Sequence, residues 1–128
     1  MSHRSILVVA FTAIVCLLTV PPAGAAAPKR IVSLSPTATE SLFAIGAGSQ
    51  VVAVDDQSDY PADVPKTDLS GFNPNVEAIA AQNPDLVVVS NDTNNVVAGL
   101  GALKIAVLVE PAAATIEDTY KQIDELGR

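Results

Sequence analysis

The chain has 128 residues, 49% of them hydrophobic and 16% charged, with seven basic and fourteen acidic side chains. That length supports one small domain, and the apolar fraction argues against a disordered acidic tail. A formal charge of −7 disfavours nucleic acid, because phosphate backbones call for a basic face, and it disfavours adsorption to anionic lipid as well.

The first elements belong to targeting. Met1–Arg4 is short and basic, Ser5–Val20 is uncharged and mostly apolar, Pro21-Pro22 breaks the run, and small residues follow from Ala23 to Ala27. Basic, apolar and small regions in that order predict a secretory signal over residues 1–27, cleaved after Ala25 or Ala27. The alternative, an uncleaved anchor, needs a longer apolar run to cross a ~30 Å hydrocarbon core. Cys16 lies inside the apolar run with Val15 before it, where a lipid-attachment signal wants a small residue. Cleavage removes His3, Arg4 and Cys16, so the formal charge goes from −7 to −8 and the exported product holds neither Cys nor His. Disulfides, Cys/His zinc sites and imidazole acid–base chemistry are thereby excluded, and no cofactor or metal is expected.

The mature part, residues 28–128, alternates strands and helices. Arg30–Ser35 opens with a β-rich run; Pro36–Gly46 reads as a helix with Pro at its start, apolar positions Ala38, Leu42, Phe43 and Ile45, and Gly46 and Gly48 as stops. Val51–Val54 predicts a second strand, and Asp55–Asn75, with Pro61, Pro65, Gly71 and Pro74, reads as a long structured loop. Asn75–Asn83 predicts a short helix behind an Asn cap. Leu86–Val89 predicts a third strand, apolar throughout as in sheets covered on both faces. Asn95–Leu103 predicts a helix interrupted by Gly99 and Gly101. Ile105–Val109 predicts a fourth strand, and Thr115–Leu126 a last helix with Ile116, Tyr120, Ile123 and Leu126 on one stripe. The expected fold class is α/β: a three-layer sandwich around a four-stranded or slightly larger, mostly parallel sheet.

Ligands of such sheets sit beyond the carboxyl ends of the strands, where strand order reverses. The residues expected there are Ser35–Thr37, Asp55–Tyr60, Ser90–Asp92 and Glu110-Pro111. Ser35 and Thr37 stand at a helix start, where free N–H groups favour an oxygen-rich group, or where they simply cap the helix. Neither a dinucleotide nor a P-loop glycine signature follows the first strand. Asp55, Asp56 and Asp59 suit either a divalent cation or a solvated turn. Tyr60 and Phe72 either line a ligand surface or pin the loop, whereas Phe43 and Tyr120 are expected in the core. Glu77 lies in a helical first turn, a favourable place for a carboxylate.

RIVSLSPTATESLFAIGAGSQVVAVDDQSDYP followed by GFNPNVEAIAAQNPDLVVVSND resembles the N-terminal lobe of periplasmic binding proteins that deliver vitamin B12 and iron–siderophore complexes to ABC importers. The resemblance covers Arg30–Arg128; its most specific pieces are SLSP-x-x-TE through Glu40, DYP at Asp59–Pro61, and NVEAI-x-x-x-NPDLV. It implies one lobe of a two-lobed, non-enzymatic protein of the periplasm or cell envelope, the C-terminal lobe being absent from this sequence. The ligand, an iron chelate or a corrinoid, is held in the cleft between lobes. By the resemblance Ser35, Pro36, Tyr60 and Phe72 face the ligand, and Glu77 docks the lobe onto the membrane permease. B12 binders of this type carry a Trp in the loop of Phe72, and this chain has none. Two rivals stand beside this reading: a small exported metal-dependent enzyme using Asp55 and Asp56, and a truncated lobe that binds nothing.

Overall fold

The structure, a computed structural model, describes residues 26–128; of the predicted signal segment, residues 1–27, all but the last two lie outside the described residues. Five strands, β1 (Ile31–Leu34), β2 (Val51–Asp55), β3 (Lys66–Leu69), β4 (Leu86–Val89) and β5 (Ala106–Val109), form one sheet in the order β3-β2-β1-β4-β5. Every pairing is parallel. The helices are α1 (Pro36–Ala44), α2 (Val76–Ala80), α3 (Val96–Ala102) and α4 (Ile116–Leu126).

The two sheet faces bury separate apolar clusters. Val32, Leu34, Ala53, Val87 and Val89 pack with Ile79 of α2 and with Val96 and Leu100 of α3. Ile31, Val54 and Val88 pack with Ala38 and Leu42 of α1, and Leu126 of α4 leans on the same group. Alternate residues of β1 and β4 thus supply opposite layers, which is why both strands read as largely apolar runs. The three-layer α/β expectation holds.

The sheet has five strands because Lys66–Leu69 pairs with β2, inside what the sequence suggested was loop throughout. The sequence KTDL has little apolar character, and its burial is confined to Leu69, as suits an edge strand with charged side chains outward. Its register slips between Val54 and Asp55, so the pairing is short and irregular.

Local chemistry fixes the helix ends. Ser35 Oγ accepts from the Ala38 N–H at 3.4 Å, and Pro36 occupies the first turn, where its missing donor costs nothing. Gly46 stands at φ +87° just past α1, where its N–H donates to Phe43 O and that of Ala47 to Leu42 O, a Schellman closure. The same closure ends α3: Lys104 N–H donates to Gly101 O and Ile105 N–H to Leu100 O, but here the left-handed position is held by Lys104 at φ +61°. A β-carbon in that conformation is costly, so Lys104→Gly is expected to raise stability by about 0.5–1 kcal/mol. A thermal midpoint equal to or below that of the parent contradicts this.

Two expectations about helices need correction. α3 is not interrupted: it runs through Gly99 and Gly101. A Cβ on Gly99 would come within 2.6 Å of Val76 Cγ2, so this glycine lets α3 approach α2 rather than breaking it. The α4 stripe is only partly covered. Leu126 and Ile123 are half-buried, but Ile116 and Tyr120 are about two-thirds exposed, so Tyr120 is not a core residue. Phe43 is half-buried against Gly48.

At the amino edge of the sheet, Asp85 accepts from the N–H groups of Lys29 and Arg30 at 2.9 and 3.0 Å. These backbone bonds hold its carboxyl below the usual range, that from Lys29 first. The Arg30 guanidinium donates to Asn83 O and Gln82 O, closing carbonyls just past the end of α2.

Candidate functional site

Chain order runs outward from β1 to β2 and β3, then restarts on the other side of β1 with β4 and β5. The order therefore reverses between β1 and β4. At the carboxyl ends of the strands beside that point lies a pocket of about 300 Å³ walled by Pro36, Asp55, Gln57, Gly71, Phe72 and Ser90. Those residues come from the ends of β1, β2, β3 and β4, so four loops converge on one concavity.

Of the residues expected to face ligand, the pocket brings together Pro36 and Phe72. Pro36 is exposed at the start of α1, and the Phe72 ring is 78% exposed, a large apolar side chain with little cover among the described residues. Ser35 is buried and its hydroxyl serves the α1 cap, so its contribution is to place Pro36. Tyr60 is 65% exposed on the β2–β3 loop and does not line the pocket. Glu77 is exposed in the first turn of α2, the turn that Asn75 caps by accepting from Ala78 N–H at 2.8 Å. Among the described residues it joins no ion pair.

Beneath the pocket wall runs a buried polar network that sequence reasoning missed. Asp55 is 1% exposed, and its Oδ1 accepts from the Ser58 hydroxyl at 2.6 Å and the Ser58 N–H at 3.0 Å. Thr39 Oγ1 lies 2.9 Å from Ser33 Oγ and 3.0 Å from Ser58 Oγ, with one hydroxyl proton to offer, and Ser33 donates to Ser35 O. The network ties β1, α1 and the β2–β3 loop together directly under the pocket. Burial pushes the Asp55 carboxyl up, against the lowering effect of its Ser58 hydrogen bonds. The available signal was positional: Asp55 continues the apolar run VVAV and so belongs to the strand, not to the turn that follows.

The same geometry gives the metal-dependent alternative no support. Asp55 is buried and bonded to Ser58, while Asp56 and Asp59 are exposed. Among the described residues no group of three or more His, Cys, Asp or Glu side chains comes together to hold a metal ion. β2 ends at Asp55, and Asp56 and Asp59 lie in the turn and loop that follow, which is why the neighbouring aspartates do not converge. A second buried carboxylate, Glu110 at the end of β5, is 7% exposed, and its Oε1 has no hydrogen-bond partner among the described residues.

Known proteins share this architecture. A family model for periplasmic binding proteins matches residues 31–128. The chain is 37% identical over 107 residues to the ABC transporter substrate-binding lipoprotein YvrC of Bacillus subtilis, an alignment covering 78% of this chain and 33% of that protein. It is 43% identical over 77 residues to a vitamin B12-binding protein of Yersinia pestis, covering 59% of this chain and 26% of the relative. The crystal structure of a possible iron-binding, periplasmic solute-binding protein from Staphylococcus epidermidis superposes with a TM-score of 0.68 at 32% identity, over 78% of this chain and 41% of that one. The chain thus spans about a third of the first relative's length and about a quarter of the second's. The matched residues include all five strands and all four helices, and on that footing the chain belongs to the periplasmic binding protein family.

Proposed function

We propose that residues 28–128 are the N-terminal lobe of an exported substrate-binding protein that captures a corrinoid or an iron chelate and hands it to an ABC importer. The observation that carries this reading is the pocket at the strand-order reversal, flanked by the uncovered Phe72 ring. An exposed aromatic beside a concavity offers a broad apolar face for a flat or bulky ligand at little conformational cost. Relatives named for vitamin B12 binding and for possible iron binding support these two ligand classes. Capture requires no bond to be made or broken, so the chemistry is recognition alone.

Glu77 supplies the delivery contact in this reading. Its carboxylate is exposed, unpaired among the described residues, and raised on the α2 turn next to the loop that carries Phe72. It is therefore available to an arginine of a membrane permease through a charge-assisted bond. In cells carrying the permease, Glu77→Ala is expected to lower uptake of radiolabelled cyanocobalamin or a ferric siderophore by about tenfold while leaving ligand affinity unchanged. Normal uptake by the variant, or a parallel fall in affinity, removes the docking role.

A further inference from the structure

The wall of the pocket contains one charged group. Asp55 Oδ1 is saturated by Ser58, but Oδ2 accepts no hydrogen bond among the described residues. It lies 2.8 Å from the position a Cβ on Gly71 would occupy, next to the pocket's own lining. Asp55 itself is 1% exposed and held at the end of β2, so the oxygen cannot swing out into bulk solvent as a surface aspartate would. Glu110 Oε1 is the one fully buried side-chain oxygen without a partner among the described residues, so Asp55 Oδ2 still meets water at the pocket surface, and a donor on a bound molecule can take that water's place.

We propose that Asp55 Oδ2 is a ligand-contacting acceptor that selects for an N–H donor, a primary amide or an ammonium group, on the edge of the bound molecule. This rests on the reading of the carboxyl edge as the ligand-facing side of the lobe. A donor-bearing edge satisfies Oδ2, and a charge-assisted bond of this kind is among the strong ones. A carboxylate edge meets like charge in a poorly hydrated wall and is turned away. Burial, which raises the Asp55 carboxyl, also makes an unmet acceptor more costly and the donor more valuable. Of the two ligand classes considered above, a corrinoid with its rim of primary amides meets the requirement, and a chelate rimmed by carboxylates does not.

Backbone amide shifts of the isotope-labelled chain, titrated with propionamide, propionate and cyanocobalamin at near-neutral pH, test this. Propionamide and cyanocobalamin are expected to move the Gly71 and Phe72 amides, and propionate is not. In Asp55→Asn the amide oxygen keeps the Ser58 bonds while an NH₂ replaces the acceptor. That variant is expected to weaken the propionamide and cyanocobalamin responses about tenfold and to admit propionate, a reversal that mere loosening of the loop does not produce. Equal responses to propionate and propionamide in the parent chain overturn the assignment without needing the variant. So does unchanged cyanocobalamin binding in Asp55→Asn, and in both cases the edge remains a ligand surface. If neither propionamide nor cyanocobalamin moves Gly71 or Phe72, the ligand-facing reading fails, and the role of Asp55 fails with it.

Discussion

Gly71→Ala is expected to lower stability by about 2 kcal/mol, a fall of about 10 °C in the thermal midpoint for a domain of this size. The reason is contact, not backbone conformation. A Cβ at Gly71 would sit 2.5 Å from Leu34 O and 2.8 Å from Asp55 Oδ2. Neither oxygen can retreat cheaply, since Leu34 is paired in register with Val89 in the centre of the sheet and Asp55 is held by Ser58. The loop must move instead, and it takes Phe72 and the pocket wall with it. Gly101→Ala provides the contrast: nothing lies within 4 Å of its Cβ, and it stands inside α3. It should gain about 0.5–1 kcal/mol, because alanine loses less backbone freedom on folding. Urea midpoints of the two variants decide the matter, and a Gly71→Ala protein as stable as its parent would mean that the loop does not press on β1 and β2 as described.

Glu110→Gln should act in the opposite direction. The wild-type carboxyl is raised first by burial and then by the Glu125 charge, and its Oε1 has no partner among the described residues. A raised acid holds its proton more tightly in the folded chain than in the unfolded one. Stability therefore falls as pH climbs from the unfolded carboxyl range near ~4.3 through the folded value, and above that the full penalty applies. Glutamine carries no charge to desolvate, so the variant should be about 1–2 kcal/mol more stable at pH 7, with the gap closing as pH drops below ~4. Denaturant titrations at the two pH values are the check. A variant that is weaker at neutral pH, or a gap that ignores pH, would show that Glu110 is satisfied in solution.

Much of the architecture was legible because its signals are local and redundant. In β4 the stretch LVVV is apolar at every position and flanked by Pro84 and Ser90, and both of its faces are in fact covered. Ser35, Asn75 and Thr115 each announce a helix and each caps one. What escaped was structure supported by tertiary contact. β3 exists because β2 offers it an edge, not because KTDL prefers to be extended. Gly99 looks like a helix breaker until Val76 is seen against it. Tyr120 has the spacing of a core residue, yet spacing states only that a face is apolar and not that anything packs on it.

The site divides along the same line. Pro36 could be placed at the carboxyl edge by counting strands, since any loop after a parallel strand emerges there, whereas Phe72 follows β3, which reads as loop, so its place rested on the resemblance. The separation of Tyr60 from the pocket depends on the path of a long loop, and the sequence carries no rule for that path. Asp55 was expected at this edge but as part of a turn or a metal-binding cluster, because Asp55-Asp56 reads as one acidic pair, whereas the strand continues through the first and ends before the second. One residue of register thus divides a buried acceptor from a solvated charge.

The two borders of the sheet are chemically unequal. β3 closes one side with Lys66 and Asp68 standing outward, charges that a second extended chain could approach only at a cost in hydration. β5 closes the other with Ala-Val-Leu-Val, an uncharged segment with no further strand beyond it among the described residues. Colloidal trouble in a concentrated preparation should therefore begin at one side only. Strand-to-strand stacking through β5 leaves the pocket edge open, so self-association of this kind and ligand capture do not compete for the same surface.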